Sequence, residues 1–221
     1  MNKYTHPKQS SSALVSIDVQ NDFTLIGAPA KIRGTHEKVP QMLQLLNAFR
    51  AVERPIIHVI RLYLPDGSNV DACRKEIIEN SMAIATPGTT GAELVDELKP
   101  DKSIRLAPEE LLQGEFQLLG KQEWAMYKPR WDAFYQTALE SRLHTLEVDT
   151  VVFCGCNFPN CPRASIYGAS MRDFRIVLVT DAVSGIYEKG LEELENIHVS
   201  LMTTNECVDW IGGSHIEQVA V

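Results

Sequence analysis

The chain has 221 residues, 44% of them hydrophobic and 23% charged, with 21 basic against 29 acidic side chains and a formal net charge of −8. That balance is globular and speaks against a disordered, collagenous or coiled-coil chain, and no apolar run approaches the roughly 18 residues of a membrane span. Lys and Arg are scattered among Asp and Glu, which argues against a nucleic-acid or anionic-membrane partner.

Residues 1–12 are polar and carry no apolar stretch like that of a signal peptide, so a flexible N-terminal arm is expected there. Residues 13–221 are of a length for one domain. Ala13–Ile17 is a short β-branched run ending at Asp18, and Lys38–Val52 places apolar residues at helical spacing. Ile56–Ile60 and Thr150–Cys154 are further apolar runs, the second stopped by Gly155. Pro162–Met171 reads as a helix and Arg175–Val179 as a fourth strand, stopped at Thr180-Asp181. Leu191–His198 and Glu206–Trp210 read as helices. Short apolar strands alternating with helices predict an α/β fold, a mainly parallel sheet covered on both faces in three α/β/α layers. Such sheets carry their chemistry at the carboxyl ends of the strands, which points to Asp18, Arg61, Gly155 through Cys161, and Asp181. The stretch 62–124 is irregular, with turn clusters at Pro65-Asp66-Gly67-Ser68 and Thr86 to Gly91, and its length suits an active-site cover.

The five cysteines are Cys73, Cys154, Cys156, Cys161 and Cys207. An odd count in a chain of this size predicts reduced thiols and a cytoplasmic location. Their spacing fits neither a zinc knuckle nor a redox pair, which leaves a catalytic thiol to consider. Cys73, Cys154, Cys207 and Cys156 are expected to be small buried hydrophobes. Cys161 differs, because it lies where a strand has stopped at Gly155, a polar loop follows, and Pro162 suits the first helical position. A thiol at a helix start feels the positive end of the dipole, which lowers its pKa, and the free N–H groups there can hold an oxyanion. Of the six histidines, none ends a strand, so the usual Cys–His pairing has no evident member. Asp18 does end one.

Ile17-Asp18-Val19-Gln20-Asn21-Asp22-Phe23 resembles the opening motif of the isochorismatase-like cysteine hydrolases, which include nicotinamidases and N-carbamoyl-amide hydrolases. Tyr127 to Phe134 is similar to the family's lysine segment, and Gly155 through Cys161 to its nucleophile loop. The three motifs stand in the family's order and span most of the chain. The resemblance implies a Rossmann-like sheet and a triad of Asp18, Lys128 and Cys161. In it Asp18 takes the thiol proton, Lys128 is a fixed cation, and Cys161 attacks a carbonyl carbon to form a thioester. It also implies a cis peptide between Cys156 and Asn157, with the Asn157 and Cys161 N–H groups as the oxyanion hole. A homo-oligomer, dimer or tetramer, is the family's habit.

Two departures bear on substrate. Phe158-Pro159-Asn160 stands where most relatives have a small residue and Thr-Asn or Thr-Asp. Nicotinamidases carry an Asp and His metal cluster after the second strand, whereas Arg61 to Asn69 here contains no His, so no metal and no cofactor are expected. The expected activity is hydrolysis of a small-molecule amide or of a carbamoyl or ureido C–N bond. Phe23, Trp131 and Phe158 would form its apolar walls, and Arg61 or Arg130 would grip a carboxylate or carbonyl. The alternatives are an isochorismatase-type C–O (vinyl ether) hydrolase using Asp18, against which Cys161 argues because true isochorismatases lack it, and a non-catalytic binding member of the fold.

Overall fold

The computed structural model describes residues 2–80 and 82–213; His215 and the end of the expected domain, 214–221, lie outside the described residues. In chain order come β1 (Ser12–Ile17), the short α1 (Asn21–Thr24), α2 (Val39–Ala51), β2 (Ile56–Ile60), α3 (Ala72–Glu79) and α4 (Pro108–Leu112). There follow β3 (Gln117–Gly120), β4 (Glu123–Tyr127), α5 (Leu139–Thr145), β5 (Thr150–Gly155), α6 (Cys161–Ser170), β6 (Arg175–Val183), α7 (Glu188–Asn196), β7 (Ser200–Met202) and α8 (Thr204–Ile211).

The strands form one sheet in the order β3-β4-β2-β1-β5-β6-β7. Every pairing is parallel except the β3–β4 hairpin. All residues of β1, β2 and β5 are buried, as strands covered on both faces must be, which is why they read as continuous apolar runs. From β1 the chain winds toward β2 and β4; from β5 it winds the other way, toward β6 and β7. Right-handed crossovers then put α2 on one face and α5, α6 and α7 on the other. The helix α8 packs against α2. The winding reverses between β1 and β5, and a crevice opens outside their carboxyl ends.

Four expectations are corrected. The arm is tethered at its inner end: Lys8 pairs with Asp149 at 2.9 Å, Ser11 Oγ donates to Asp149, Gln9 donates to the Ile211 carbonyl, and Ser12 already belongs to β1. These ties are polar, so an apolar-run reading does not register them. The stretch read as irregular contains β3 and runs into β4, and the two strands complete the sheet; Glu123 at the head of β4 breaks the apolar pattern yet is buried by Arg50 and His58. Third, β6 runs on past Thr180, and Asp181 lies inside it, accepting hydrogen bonds from the Thr204 N–H and hydroxyl at the start of α8. Asp181 is therefore a structural cap. A fourth expectation fails at Cys73, which is exposed because α3 is a polar helix whose buried residue is Ile78, while Cys154, Cys156 and Cys207 are buried as expected.

Candidate active site

The ends of β1, β2, β4 and β5 meet at the crevice. At the end of β1, Asp18 adopts φ +52°, a left-handed conformation that Asp tolerates better than most residues. Beside it Gly155 ends β5 at φ +118°, and a Cβ there would collide with the backbone of Ile17. Only glycine lets β5 come this close to β1 before the chain turns into the Cys161 loop. The Cys156–Asn157 peptide is cis. No side chain caps the start of α6 at Asn160, so the N–H groups of its first turn stay available. Among the described residues, neither the Asn157 nor the Cys161 N–H has a hydrogen-bond acceptor.

Lys128 follows β4 and is wholly buried, its backbone N–H held by the Ile60 carbonyl. Its Nζ donates to Asp18 Oδ2 at 2.8 Å. Asp18 Oδ1 is buried and has no hydrogen-bond partner among the described residues, which leaves one carboxylate oxygen free as an acceptor. Burial alone would raise the Asp18 pKa, but the charges of Lys128 and Arg61 outweigh it and hold the carboxyl below its ordinary value. The Cys161 thiol moves the opposite way. Burial, and then the Asp18 charge, raise its pKa above the ordinary value, against the smaller pull of Lys128 and Arg61. The helix-start argument predicts a depressed thiol pKa; burial and a neighbouring carboxylate overturn that. The resting pair is thus a thiol beside an ionised carboxylate.

Arg61, at the end of β2, is buried and committed. Its Nη1 donates to Asp71 at 3.2 Å and to the Pro129 carbonyl at 2.9 Å, and its Nη2 lies 3.8 Å from Cys161 Sγ. It faces the thiol rather than standing free for a carboxylate. Phe23, Ile32, Arg74, Cys156 and Asn157 line the pocket together with Asp18, Arg61 and Cys161. Phe158 does not: it is buried in the main core, its ring 5.4 Å from that of Tyr187. Trp131 is 38% exposed and is not among the residues lining this pocket. Arg130 donates to the Asn69 and Pro129 carbonyls on the surface. The direction of a loop side chain depends on the turn it sits in, and residue type alone does not give it.

Gln20, Asn21 and Asp22 of the opening motif are scaffolding. The Gln20 amide donates to the Arg61 and Ala92 carbonyls and accepts from the Arg61 N–H; Asn21 donates to the Thr90 carbonyl, and Asp22 accepts from the Ala85 N–H. Three consecutive polar side chains thus bind the segment 85–94 over the end of β1. Most oxygen ligands available after β2 are likewise engaged. Asp66 accepts from Ser68, Asn69 bonds Leu64, Leu62 and Tyr127, and Asp71 holds Arg61 and Tyr63. This donor set does not fit a metal ion. Arg74 and Ile32 were not singled out by the sequence: α3 has a polar, weakly patterned sequence and Ile32 lies in a loop.

An isochorismatase domain family model matches residues 12–206. A protein of Arabidopsis thaliana named as a probable inactive nicotinamidase is 28% identical over 202 residues, covering 89% of this chain and 94% of that protein. Maleamate amidohydrolase of Pseudomonas putida is 28% identical over 204 residues, covering 89% and 84%. A crystal structure of an isochorismatase family protein from Desulfovibrio vulgaris superposes with a TM-score of 0.78 at 30% identity, covering 91% of this chain and 98% of that one.

Proposed function

The chain belongs to the isochorismatase family, and from that premise we propose that it is a cysteine-dependent amidohydrolase of small, non-peptide C–N bonds. The observation that carries the reading is the Asp18 carboxylate, one oxygen on Lys128 and the other buried and free, beside the Cys161 thiol. A free, ionised carboxylate oxygen next to a neutral thiol is an acid–base pair in its resting state.

In this mechanism Cys161 Sγ attacks the carbonyl carbon of the amide while its proton passes to Asp18 Oδ1. Lys128 keeps Asp18 ionised until then. The Arg61 guanidinium, at Sγ, favours the negative charge that develops on sulfur. The carbonyl oxygen becomes an oxyanion between the Asn157 and Cys161 N–H groups. Collapse breaks the C–N bond, and the nitrogen leaves with the proton held by Asp18. Water then attacks the thioester, Asp18 takes one of its protons, and the acid is released as the thiol re-forms. Each turnover converts an amide and water into an acid and ammonia or an amine. No step needs a Lewis acid.

Support for amides over vinyl ethers comes from Cys161 itself, and from a relative named for hydrolysing maleamate. The plant relative's name favours an inactive reading, but here Asp18, Lys128 and Cys161 converge. A panel of carboxamides, ureas and carbamoyl amino acids, scored by ammonia release, tests the proposal. Release from at least one member, lost in Cys161→Ala, is expected. Release that survives Cys161→Ala rules out the thioester route.

A further inference from the structure

The charges around the pocket do not cancel. Lys128 is paired with Asp18 at 2.8 Å and Arg61 with Asp71 at 3.2 Å, and the second oxygen of Asp71 accepts from the Tyr63 hydroxyl. Arg74 lines the same pocket from α3 and is left over. Among the described residues its guanidinium has no hydrogen-bond acceptor and no ion pair; it lies over the ring of Phe23, 5.9 Å from the centroid. The side chain is half-buried, so one side of a five-donor cation has given up water and received no acceptor in return. The rest of α3 is mostly exposed, and its other basic residue, Lys75, reaches outward toward Glu79. Arg74 instead reaches the pocket, on the helix whose buried residue is Ile78.

We infer that Arg74 is the anion anchor of the substrate pocket, so that the amide or carbamoyl group cut at Cys161 is carried on a short carboxylic acid whose carboxylate pairs with this guanidinium. The inference rests on Cys161 being the nucleophile and adds the substrate class. It also moves the anchor from Arg61, which is paired with Asp71 and the Pro129 carbonyl and faces Cys161 Sγ, to a residue on a different element. A planar guanidinium takes a carboxylate through two parallel N–H···O bonds and so fixes direction as well as charge. The space beside Cys161 has a cavity volume of about 10 Å³, the room of a single water, so only a slender group reaches Sγ.

The test compares two alkylating reagents of one size, iodoacetate and iodoacetamide. Each forms an S–C bond to Cys161 and expels iodide, and the thiol proton goes to buffer. They differ only in that one carries a carboxylate and the other a neutral amide. Rates are read on the Cys161 peptide by mass spectrometry, which separates it from the exposed Cys73, and are normalised to glutathione. The expected result is a clear preference for iodoacetate in the native chain, reduced about tenfold in Arg74→Gln, the scale of losing one charge-assisted bond, and partly kept in Arg74→Lys. A ratio unchanged by Arg74→Gln overturns the anchor and leaves the nucleophile standing. No labelling of Cys161 by either reagent overturns both.

Discussion

Lys128 shows how one buried residue can set the behaviour of another. Burial by itself would push the Asp18 carboxyl up, and the cations hold it down. Lys128→Met removes the larger of the two charge effects, so the Asp18 pKa rises. The acid limb of a kcat/KM profile is then expected to move to higher pH, because Asp18 must be ionised to accept the thiol proton. The substitution also leaves a carboxylate buried without its partner, a loss of about 3–5 kcal/mol. An acid limb that stays in place would remove Lys128 from the mechanism. Residues at strand ends were the legible ones. Asp18 and Cys161 stand where apolar runs stop, and Lys128 was found by motif. Phe158 and Trp131 were not legible as walls, because their directions are set by loop geometry. Arg74 was silent because its significance lies in what its neighbours have already paired with.

At the scale of elements, β1, β2 and β4 are cross-linked by a buried polar chain on the α2 side of the sheet. Ser16 Oγ and His58 Nδ1 lie 2.7 Å apart, His58 Nε2 and Glu123 Oε1 2.8 Å, and Glu123 takes a bidentate pair from Arg50. These three strands carry Asp18, Arg61 and Lys128 at their ends, so the chain helps fix the register that brings the site together. Burial opposes ionisation of Glu123, but the hydrogen bonds of Arg50 and His58 hold its pKa at about 2, against an ordinary 4.5. A depressed carboxyl stabilises the fold in full above 4.5 and loses that contribution as pH falls toward 2. Glu123→Gln is accordingly expected to lower Tm at neutral pH, by roughly 2–4 °C for each kcal/mol lost, and to flatten the decline of stability between pH 4.5 and 2. Thermal melts across that range check both. An unchanged slope would mean that other carboxylates govern acid unfolding. The same residue hides the start of β4 from a periodicity reading, so that only the lysine motif points to this strand: Glu123 looks like a surface charge until its two partners are known. The uniformly apolar strands β1, β2 and β5 had no such disguise.

At the scale of the whole molecule, the site follows from topology. Winding reverses between β1 and β5, and Asp18 and the Cys161 loop occupy the crevice this creates. The segment 85–94, bound down by Gln20, Asn21 and Asp22, and the helix α3 with Arg74 add the wall that the sheet cannot supply. In this architecture Asp66, Asn69 and Asp71 are engaged with backbone and arginine. Turnover is therefore expected to survive exhaustive dialysis against a chelator; activity lost on dialysis and restored by one added metal would contradict the mechanism.

That Cys161 carries the acyl group is open to direct measurement. A turning-over sample, quenched in acid and digested, is read by peptide mass. An acyl adduct is expected on the peptide holding Cys161, removed by hydroxylamine and absent from Cys161→Ser, where Asp18 is too weak a base for a hydroxyl. Steady turnover by Cys161→Ala, or turnover with no adduct on this peptide under conditions that slow hydrolysis of the thioester, would contradict it.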